Sequence, residues 1–421
     1  MAFYKDMRMQ QENVDTGRYQ VAVGDRLSNR PIENARVRIS YTGAPDSIIE
    51  EVVTDSSGRT PVIELKTPPL EYSMEPVEQQ PYAEYTVQID AEGFEPKEVA
   101  GSEVLPDVLS RQPATLNAME PGESYQRVVI PPHTLFYEYP PKIEESEIKA
   151  INETGEIVLS KVVVPEFVVV HDGPINDSSA ENYYVRYRDY IKNVASSEIY
   201  ATWPDDTIRA NILAIMSFTL NRVYTEWYRN QGYDFTITSS TAYDHKWIYG
   251  RNIFESISVV VDDIFDNYLS RPGVKQPILT QYCDGRKVRC PGWMTQWGSC
   301  ELGEAGYSPI EILRNFYGDD MYINTAEQIS GIPASWPGYD LKIGATGDKV
   351  RQLQEQLDAI SSVYTAIPDI SPDGIYGPAT AEAVRKFQSI FGLPQTGVVD
   401  FATWYKISHI YVGITRIAEL S

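Results

Sequence analysis

At 421 residues the chain is too long for one ordinary core, and about two or three domains are expected. Hydrophobic residues at 42% and charged residues at 23% mark globular material rather than a disordered tail. The formal net charge of −23 gives a surface that repels phosphate backbones and anionic lipid, which argues against nucleic acid and membrane as partners. No stretch approaches the ~18 apolar residues of a membrane span. The opening MAFYKDMRMQQENVDTGRYQ lacks the apolar h-region of a secretory signal. The 29 Tyr and 7 Trp supply rings that stack on sugar faces, although most such rings fill cores.

Residues 15–105 read as a β-sandwich. Tyr19, Val21 and Val23 alternate with polar residues, as do Val37, Ile39 and Tyr41, and again Tyr85, Val87 and Ile89. Period two bounded by turn residues marks half-buried strands, and Asp55-Ser56-Ser57-Gly58 and Glu92-Gly93 are the turns between them. Residues 106–159 read as a Pro-rich connector (Pro106, Pro113, Pro121, Pro131, Pro132, Pro140, Pro141), with an edge strand at Arg127–Ile130. An exposed extended segment suits a protease, so Pro121–Pro132, and Tyr125-Gln126-Arg127 within it, is the expected place of an activating cut.

Residues 160–333 are richer in helix signals, giving a mixed α/β, helix-rich central domain. On the helix expected around Tyr187–Tyr200, Ile191, Val194, Ala195 and Glu198 fall at i, i+3, i+4 and i+7. That spacing puts the Glu198 carboxyl on the apolar stripe. Desolvation there raises a carboxyl pKa, the condition a general acid needs near neutral pH. The plainer alternative is a Glu at the edge of the stripe that reaches water. After the break Thr202-Trp203-Pro204, a long core helix is expected from Thr207 to Tyr228 with a stripe of Ile208, Ile212, Ile215, Thr219, Val223 and Trp227. The three cysteines, Cys283, Cys290 and Cys300, leave open one bridge, free thiols or a metal site.

A short boundary at Pro333–Gly338 precedes a C-terminal three-helix unit over 342–415. Asp348 is a candidate N-cap for a helix carrying Val350, Leu353, Leu357 and Ile360. A second helix carries Ala383, Val384, Phe387 and Phe391, and Asp400 caps a third with Phe401 and Trp404.

Several of these segments resemble known families. Pro31–Val37, Thr54–Gly58 and Tyr85–Phe94 are similar to carboxypeptidase-regulatory-like sandwich domains, which implies packing or adhesion and no chemistry. Gly347–Gln354, Asp373–Thr380, Ala383–Gln388 and Gly392–Asp400 look like the peptidoglycan-binding type 1 fold, which implies a wall tether, with Asp373 and Tyr376 taken as substrate-binding. Tyr190–Ile199 followed by Thr202-Trp203-Pro204 resembles the catalytic motif of the SpoIID/LytB domain. Thr241–Lys246, Pro291–Ser299 and Gly306–Leu313 are similar to its substrate-side loop, its GMSQ-type loop and its closing helix.

The domain order resembles the SleC-type spore cortex-lytic enzymes of clostridia. That resemblance implies a lytic transglycosylase with Glu198 as the catalytic acid and Tyr243, Asp244, Gln296 and Trp297 along the cleft. It also implies a zymogen activated by a subtilisin-like protease, made in the mother cell without a cleaved signal and placed at the spore cortex or coat, with peptidoglycan as partner. No cofactor and no metal are expected, His245 being read as a loop histidine although some SpoIID-type enzymes hold zinc through His and Cys. The alternative from a different class is a non-catalytic peptidoglycan-binding protein or amidase enhancer.

Overall fold

The computed structural model describes residues 14–26, 30–119, 125–149, 162–233, 235–326, 328–329, 339–391 and 393–400, with 403, 404, 406, 407, 410 and 411 near the C-terminus. Pro121, the end of the connector at 150–159, the boundary Pro333–Gly338, Gly392 and Phe401 lie outside the described residues.

The N-terminal strands are β1 (Asp15–Asp25), β2 (Arg36–Tyr41), β3 (Ile48–Val53), β4 (Ile63–Thr67), β5 (Ala83–Asp90), β6 (Lys97–Val104), β7 (Leu109–Leu116) and β8 (Gln126–Val129), with a one-turn helix α1 (Glu71–Met74) before β5. They form one sheet in the order β3-β2-β5-β6-β8 and a second containing β7-β1-β4. Successive side chains in a strand point to opposite faces. The apolar half of each alternation therefore lines a common core, where Tyr19, Val21, Val37, Ile39, Tyr85, Val87 and Ile89 are buried. The Asp55–Gly58 turn closes because the Gly58 N–H donates to the Asp55 carbonyl at 2.8 Å, while the Asp55 side chain accepts from the Ser57 and Arg59 N–H groups. Gly58 is required there: its φ is +72°, and a Cβ would meet the Val23 carbonyl oxygen at 2.4 Å.

Among the described residues these sheets run past residue 105, so their strands continue into the stretch read as a connector over 106–159. Leu109–Leu116 pairs in parallel with β1, and Gln126–Val129 pairs in parallel with β6 at a sheet edge. The expected cut at Tyr125-Gln126-Arg127 thus falls where Gln126 and Arg127 are already in a hydrogen-bonded ladder, a poor substrate for a protease cleft.

The central part begins with β9 (Val163–Val164), β10 (Phe167–His171) and β11 (Asn182–Arg186), which leads directly into α2 (Tyr187–Glu198). Next come α3 (Asp205–Tyr224), β12 (Ile237–Thr238), β13 (Ile253–Phe254), α4 (Glu255–Ile264) and β14 (Asn267–Ser270). Then follow β15 (Tyr282–Cys283), β16 (Met294–Thr295), α5 (Gln296–Glu304), α6 (Pro309–Tyr317) and β17 (Tyr322–Thr325). Of the 20 residues of α3, 17 are buried, so it is a central strut wrapped on all sides rather than a one-faced helix. It stops at Tyr224, short of the expected Tyr228, because Glu226 turns into the left-handed region at φ 44°. Trp227 therefore lies beyond the helix.

The two parts are welded together. Strand β13 adds to the edge of β7, pairing Ile253 with Arg111 and Phe254 with Ser110. Beside it the buried Arg251 donates to Glu103 Oε2 at 2.5 Å, and Asn252 Nδ2 donates to the Glu103 carbonyl at 2.8 Å. Tyr82, Leu105 and Val108 belong to the central core, not to the sandwich core.

In the C-terminal part, α7 (Asp348–Ser361) and α8 (Pro378–Ile390) pack with Trp404, Ile407 and Ile410 around one apolar centre. Gly347, not Asp348, is the residue that caps α7. Two buried glutamines repeat one device: Gln354 Oε1 accepts from the Gly374 N–H at 2.7 Å, and Gln388 Oε1 accepts from the Gly397 N–H at 2.9 Å. Each thereby locks a turn whose glycine has positive φ.

Glu84, on β5 near this junction, gives a pH-dependent test of the packing. Burial, reinforced by the Glu103 carboxylate, pushes its carboxyl from 4.5 up to about 7. Below 4.5 both folded and unfolded chains hold the proton. Between the two values the unfolded chain ionises first, so folding loses stability as pH rises, with the full cost reached above about 7. Glu84→Gln is expected to leave thermal stability unchanged near pH 4 and to raise it by about 1–2 kcal/mol near pH 8, after allowance for partial exposure. Melting curves at the two pH values measure this.

Candidate functional site

Glu198 is the last residue of α2 and is fully buried. The stripe that carries it is equally enclosed, since Ile191, Val194 and Ala195 are all 0% exposed. A carboxyl in such a place needs its oxygens answered by donors. The Lys246 backbone N–H donates to Oε1 at 2.6 Å, and the Tyr282 hydroxyl donates to Oε2. The Gln296 amide donates to the Glu198 main-chain carbonyl at 3.0 Å, fixing the end of the helix. Burial pushes the Glu198 carboxyl above its usual range, and the nearby Lys142 ammonium and the two donors pull in the opposite direction.

Lys142 comes from the stretch after the N-terminal sheets. Its ammonium donates to the Asp244 carbonyl at 2.6 Å and lies over the Tyr282 ring, 4.8 Å from its centroid. Burial lowers the Lys142 pKa, against the Glu198 and Asp244 carboxylates. The phenols of Tyr139 and Tyr282 are pushed up by burial and by the Glu198 charge, so both stay protonated.

His245, the residue before Lys246, is buried rather than facing solvent. Its ring stacks on Tyr282 with centroids 5.8 Å apart and an interplanar angle of 12°, and Nδ1 shares a 3.0 Å hydrogen bond with the Tyr190 hydroxyl. Burial, with Lys142 and Arg222 nearby, holds its pKa well below the usual value, so the ring is neutral. Among the described residues, Tyr139 Oη, His245 Nε2 and Gln296 Oε1 are buried polar atoms around Glu198 with no hydrogen-bond partner.

Cys283, next to Tyr282, forms a disulfide with Cys290, and Cys300 is a buried free thiol. The Cys283 sulfur is therefore not a thiolate ligand for a metal at His245. Among the described residues no group of three or more His, Cys, Asp or Glu side chains is placed to hold a metal ion. The loop between the bridged cysteines is tightened by Asp284, whose carboxylate accepts from the Lys287 and Val288 N–H groups at 2.7 and 3.0 Å.

The other residues singled out from sequence divide sharply. Gln296 reaches Glu198. Tyr243 is half-buried on the loop that leads to His245. Asp244 is not open to a ligand: it accepts from Arg222 Nε at 2.7 Å, Tyr228 Oη at 2.7 Å and the Thr238 N–H and hydroxyl at 2.8 Å, at 0% exposure. Trp297 is enclosed in an aromatic cluster with Tyr200 and Trp203, its ring centroid 5.2 Å from that of Trp203. In the C-terminal part, Tyr376 is 1% exposed and spends its hydroxyl on the Gly397 carbonyl at 2.9 Å. Asp373 is exposed, yet one oxygen holds its own turn through the Ile375 N–H at 2.8 Å. Both of these residues build turns. Sequence reading missed Tyr282, Lys142 and Tyr139, which reach Glu198 only through the tertiary fold. The one sequence hint was Tyr282's place beside a cysteine.

Among the described residues Glu198, Tyr282 and Gln296 are all buried, so the carboxyl does not open on a groove. Open clefts lie elsewhere, one bordered by Glu166, Arg186, Asp189 and Asp262 and another by Met74, Arg286, Trp297 and Glu301.

Residues 346–407 match the family model described as "Putative peptidoglycan binding domain", so a peptidoglycan-binding domain is present in the C-terminal part. The chain is similar to a zinc D-Ala-D-Ala carboxypeptidase of Streptomyces albus G, with 38% identity over 73 residues, 17% of this chain and 27% of that protein. It is also similar to N-acetylmuramoyl-L-alanine amidase CwlA of Bacillus subtilis (strain 168), with 44% identity over 54 residues, 12% of this chain and 18% of that protein. The chain thus spans well under half the length of either relative. Among solved structures, the SleB N-terminal domain matches at 30% identity, covering 17% of this chain and 93% of that one, with a TM-score of 0.15.

The division between Asp244 and Tyr243 is directly measurable. Asp244→Ala leaves the buried Arg222 guanidinium with the Glu145 carboxylate and the Tyr243 carbonyl as hydrogen-bond partners, and is expected to cost about 3 kcal/mol or more of stability. Tyr243→Ala is expected to cost under about 1 kcal/mol. Chemical denaturation of the two variants checks both values.

Proposed function

We propose that the chain is a peptidoglycan lytic transglycosylase acting on spore-cortex glycan, held on the wall by its C-terminal domain and latent until proteolysis. The observation that carries the reading is Glu198: a fully buried carboxyl, raised by desolvation, with a donor on each oxygen and, among the described residues, no second carboxylate among its hydrogen-bond partners. Hydrolytic glycosidases generally place two carboxylates about the scissile bond, one as acid and one as base or nucleophile. A transglycosylase needs only one. Glu198 gives its proton to the glycosidic oxygen between muramic acid C1 and the next glucosamine, and the C1–O bond breaks with its electron pair going to that oxygen. The C6 hydroxyl of the same muramic acid then attacks C1, and its proton returns to the Glu198 carboxylate. The product is a 1,6-anhydro end, and the nucleophile is intramolecular, so no water needs positioning.

Tyr282 and the Lys246 N–H stabilise the carboxylate formed after the first transfer, in the manner of fixed donors in a water-poor site. Peptidoglycan as the partner is supported by the C-terminal match and by cell-wall hydrolases among the relatives. The cortex location, the activating protease and synthesis in the mother cell rest on the sequence resemblance. A non-catalytic wall-binding protein is the second reading, and the closed state of Glu198 is what favours it.

Glu198→Gln is expected to lower anhydro-muropeptide release from cortex fragments by at least about a thousandfold, the scale of losing an essential proton donor together with its return step. Wall binding should be unchanged. In the active form, release should fall as pH rises through the Glu198 pKa, because only the protonated acid works, and that fall should lie above the ordinary carboxyl range. Mass spectrometry of the products decides: reducing ends instead of anhydro ends would mean hydrolysis, and unchanged muropeptides from both wild type and variant after removal of the N-terminal region would leave the binder.

A further inference from the structure

Residues 131–149 form a strap drawn across the central part, over the Glu198 site. Thr134 donates to the Ser197 carbonyl through its hydroxyl at 2.8 Å, and Lys287 donates to the Leu135 carbonyl at 2.7 Å. The Lys142 ammonium then donates to the Asp244 carbonyl at 2.6 Å and lies over the ring of Tyr282, the residue whose hydroxyl donates to Glu198, and Tyr139 is buried near enough to feel the Glu198 charge. Beyond them the Ile143 N–H donates to the Ala242 carbonyl at 2.8 Å.

The groups that hold the rest of the strap have a specific chemistry. Gln281 donates to the Ile143 carbonyl at 2.7 Å and accepts from the Glu145 N–H at 2.9 Å. Gln276 accepts from the Lys149 N–H at 2.6 Å and donates back to the Lys149 carbonyl at 3.3 Å. Each glutamine thus reads the N–H and C=O groups of peptide-type amides. Arg222 takes the Glu145 carboxylate in a bidentate grip at 2.6 and 2.9 Å, and Arg271 takes Glu147 likewise at 2.8 and 2.9 Å. The groove beneath the strap is therefore built to alternate amide recognition with carboxylate recognition, and one end of it is Glu198.

We propose that this groove is the polysaccharide-binding site and that the strap is its built-in occupant, standing in for an N-acetylated amino-sugar strand that carries carboxylates. An acetamido group presents the N–H and C=O that Gln276 and Gln281 now take from the strap backbone. The carboxylates of muramic acid or its stem peptide take the places of Glu145 on Arg222 and of Glu147 on Arg271, where planar bidentate recognition is the strength of a guanidinium. The Lys142 ammonium sits near Glu198, where the sugar gains positive charge as its C1–O bond breaks. The inference rests on reading Glu198 as the acid that acts on glycan, but it concerns binding and is tested without cleavage.

The test uses the full chain carrying Glu198→Gln, so that nothing is cut, and soluble glycan fragments prepared from peptidoglycan. The strap is loosened by Glu145→Gln with Glu147→Gln, and binding is followed by titration and by hydrogen exchange. The loosened chain is expected to bind at least about tenfold more tightly, with glycan-dependent protection at 242–246 and 276–283, and adding Gln281→Ala is expected to remove that gain. If near-UV circular dichroism shows the double variant unfolded, Glu147→Gln alone, at a partly open site, is measured the same way with an expected gain of about threefold. Equal affinity with the strap intact or loosened, or protection confined to 346–407, would overturn the proposal. Groove binding with no cleavage once Glu198 is restored would sink the transglycosylase reading and leave this one standing.

Discussion

A carboxyl group shut away from water organises the centre of this molecule. Transfer of an unanswered carboxylate out of water costs several kcal/mol, so each of its oxygens must find a donor or hold a proton. Glu198 finds one donor on the 244–248 loop and one on β15, while its own carbonyl is fixed by the residue that opens α5. Three segments distant in sequence are thereby tied to the end of one helix. Each is braced in turn. The His245 ring links Tyr190 to Tyr282, and the Cys283–Cys290 bridge closes the loop that follows Tyr282. Losing any brace would loosen a donor and leave the carboxyl unanswered.

The N-terminal sheets belong to the same support. Arg251 Nη2 donates at once to Glu103 of the sheets and to the Ser196 carbonyl, two residues before Glu198. The α1 turn grips the residues after α2, with Trp203 Nε1 donating to the Ser73 carbonyl at 2.9 Å and Thr202 sharing a 2.8 Å bond with the Ser73 hydroxyl. A buried ion pair of this kind is costly to break on one side. The sheets are thus a buttress for α2 joined by a shared β-ladder, and cutting the chain after them would not by itself release them. What covers Glu198 is the strap that follows.

How much of this could be read from the sequence depends on the range of the interaction. The stripe Ile191, Val194, Ala195 and Glu198 is a property of one helix, so spacing placed Glu198 on the apolar stripe, while whether its carboxyl reached water was left to the tertiary fold. The alternation of Tyr19–Val23, Val37–Tyr41 and Tyr85–Ile89 is a property of single strands, and their inward faces follow from it. Helix α3 was legible as a helix but not as one buried all round, because which faces are covered is decided by α2, α4, α5 and α6. Asp244, Trp297 and Tyr376 share one feature that sequence does not carry. Sequence shows that a polar or aromatic side chain is present, not whether its capacity is already used, and all three are spent on partners inside the fold. Tyr282, 84 residues from Glu198, and Lys142, in a stretch read as a mere connector, left no periodic trace of their role.

On the proposed reading of Glu198 as an acid, burial and charge also explain how one strap would both cover the site and restrain it. A general acid must carry its proton, and desolvation of Glu198 favours that form. The Lys142 ammonium opposes it, because a nearby cation favours the ionised carboxylate. With the strap seated, the acid is therefore closed off, and the cation offsets part of the upward push that burial gives its pKa. Withdrawal of the strap takes the cation away together with the cover. A sugar ring seated in place of Tyr139 and Lys142 would keep water out while bringing no positive charge until the bond begins to break. The balance between desolvation and the opposing cation then shifts toward the proton at the moment the substrate arrives. On that account the same low-dielectric setting serves latency and catalysis, and what differs between them is which molecule occupies the groove.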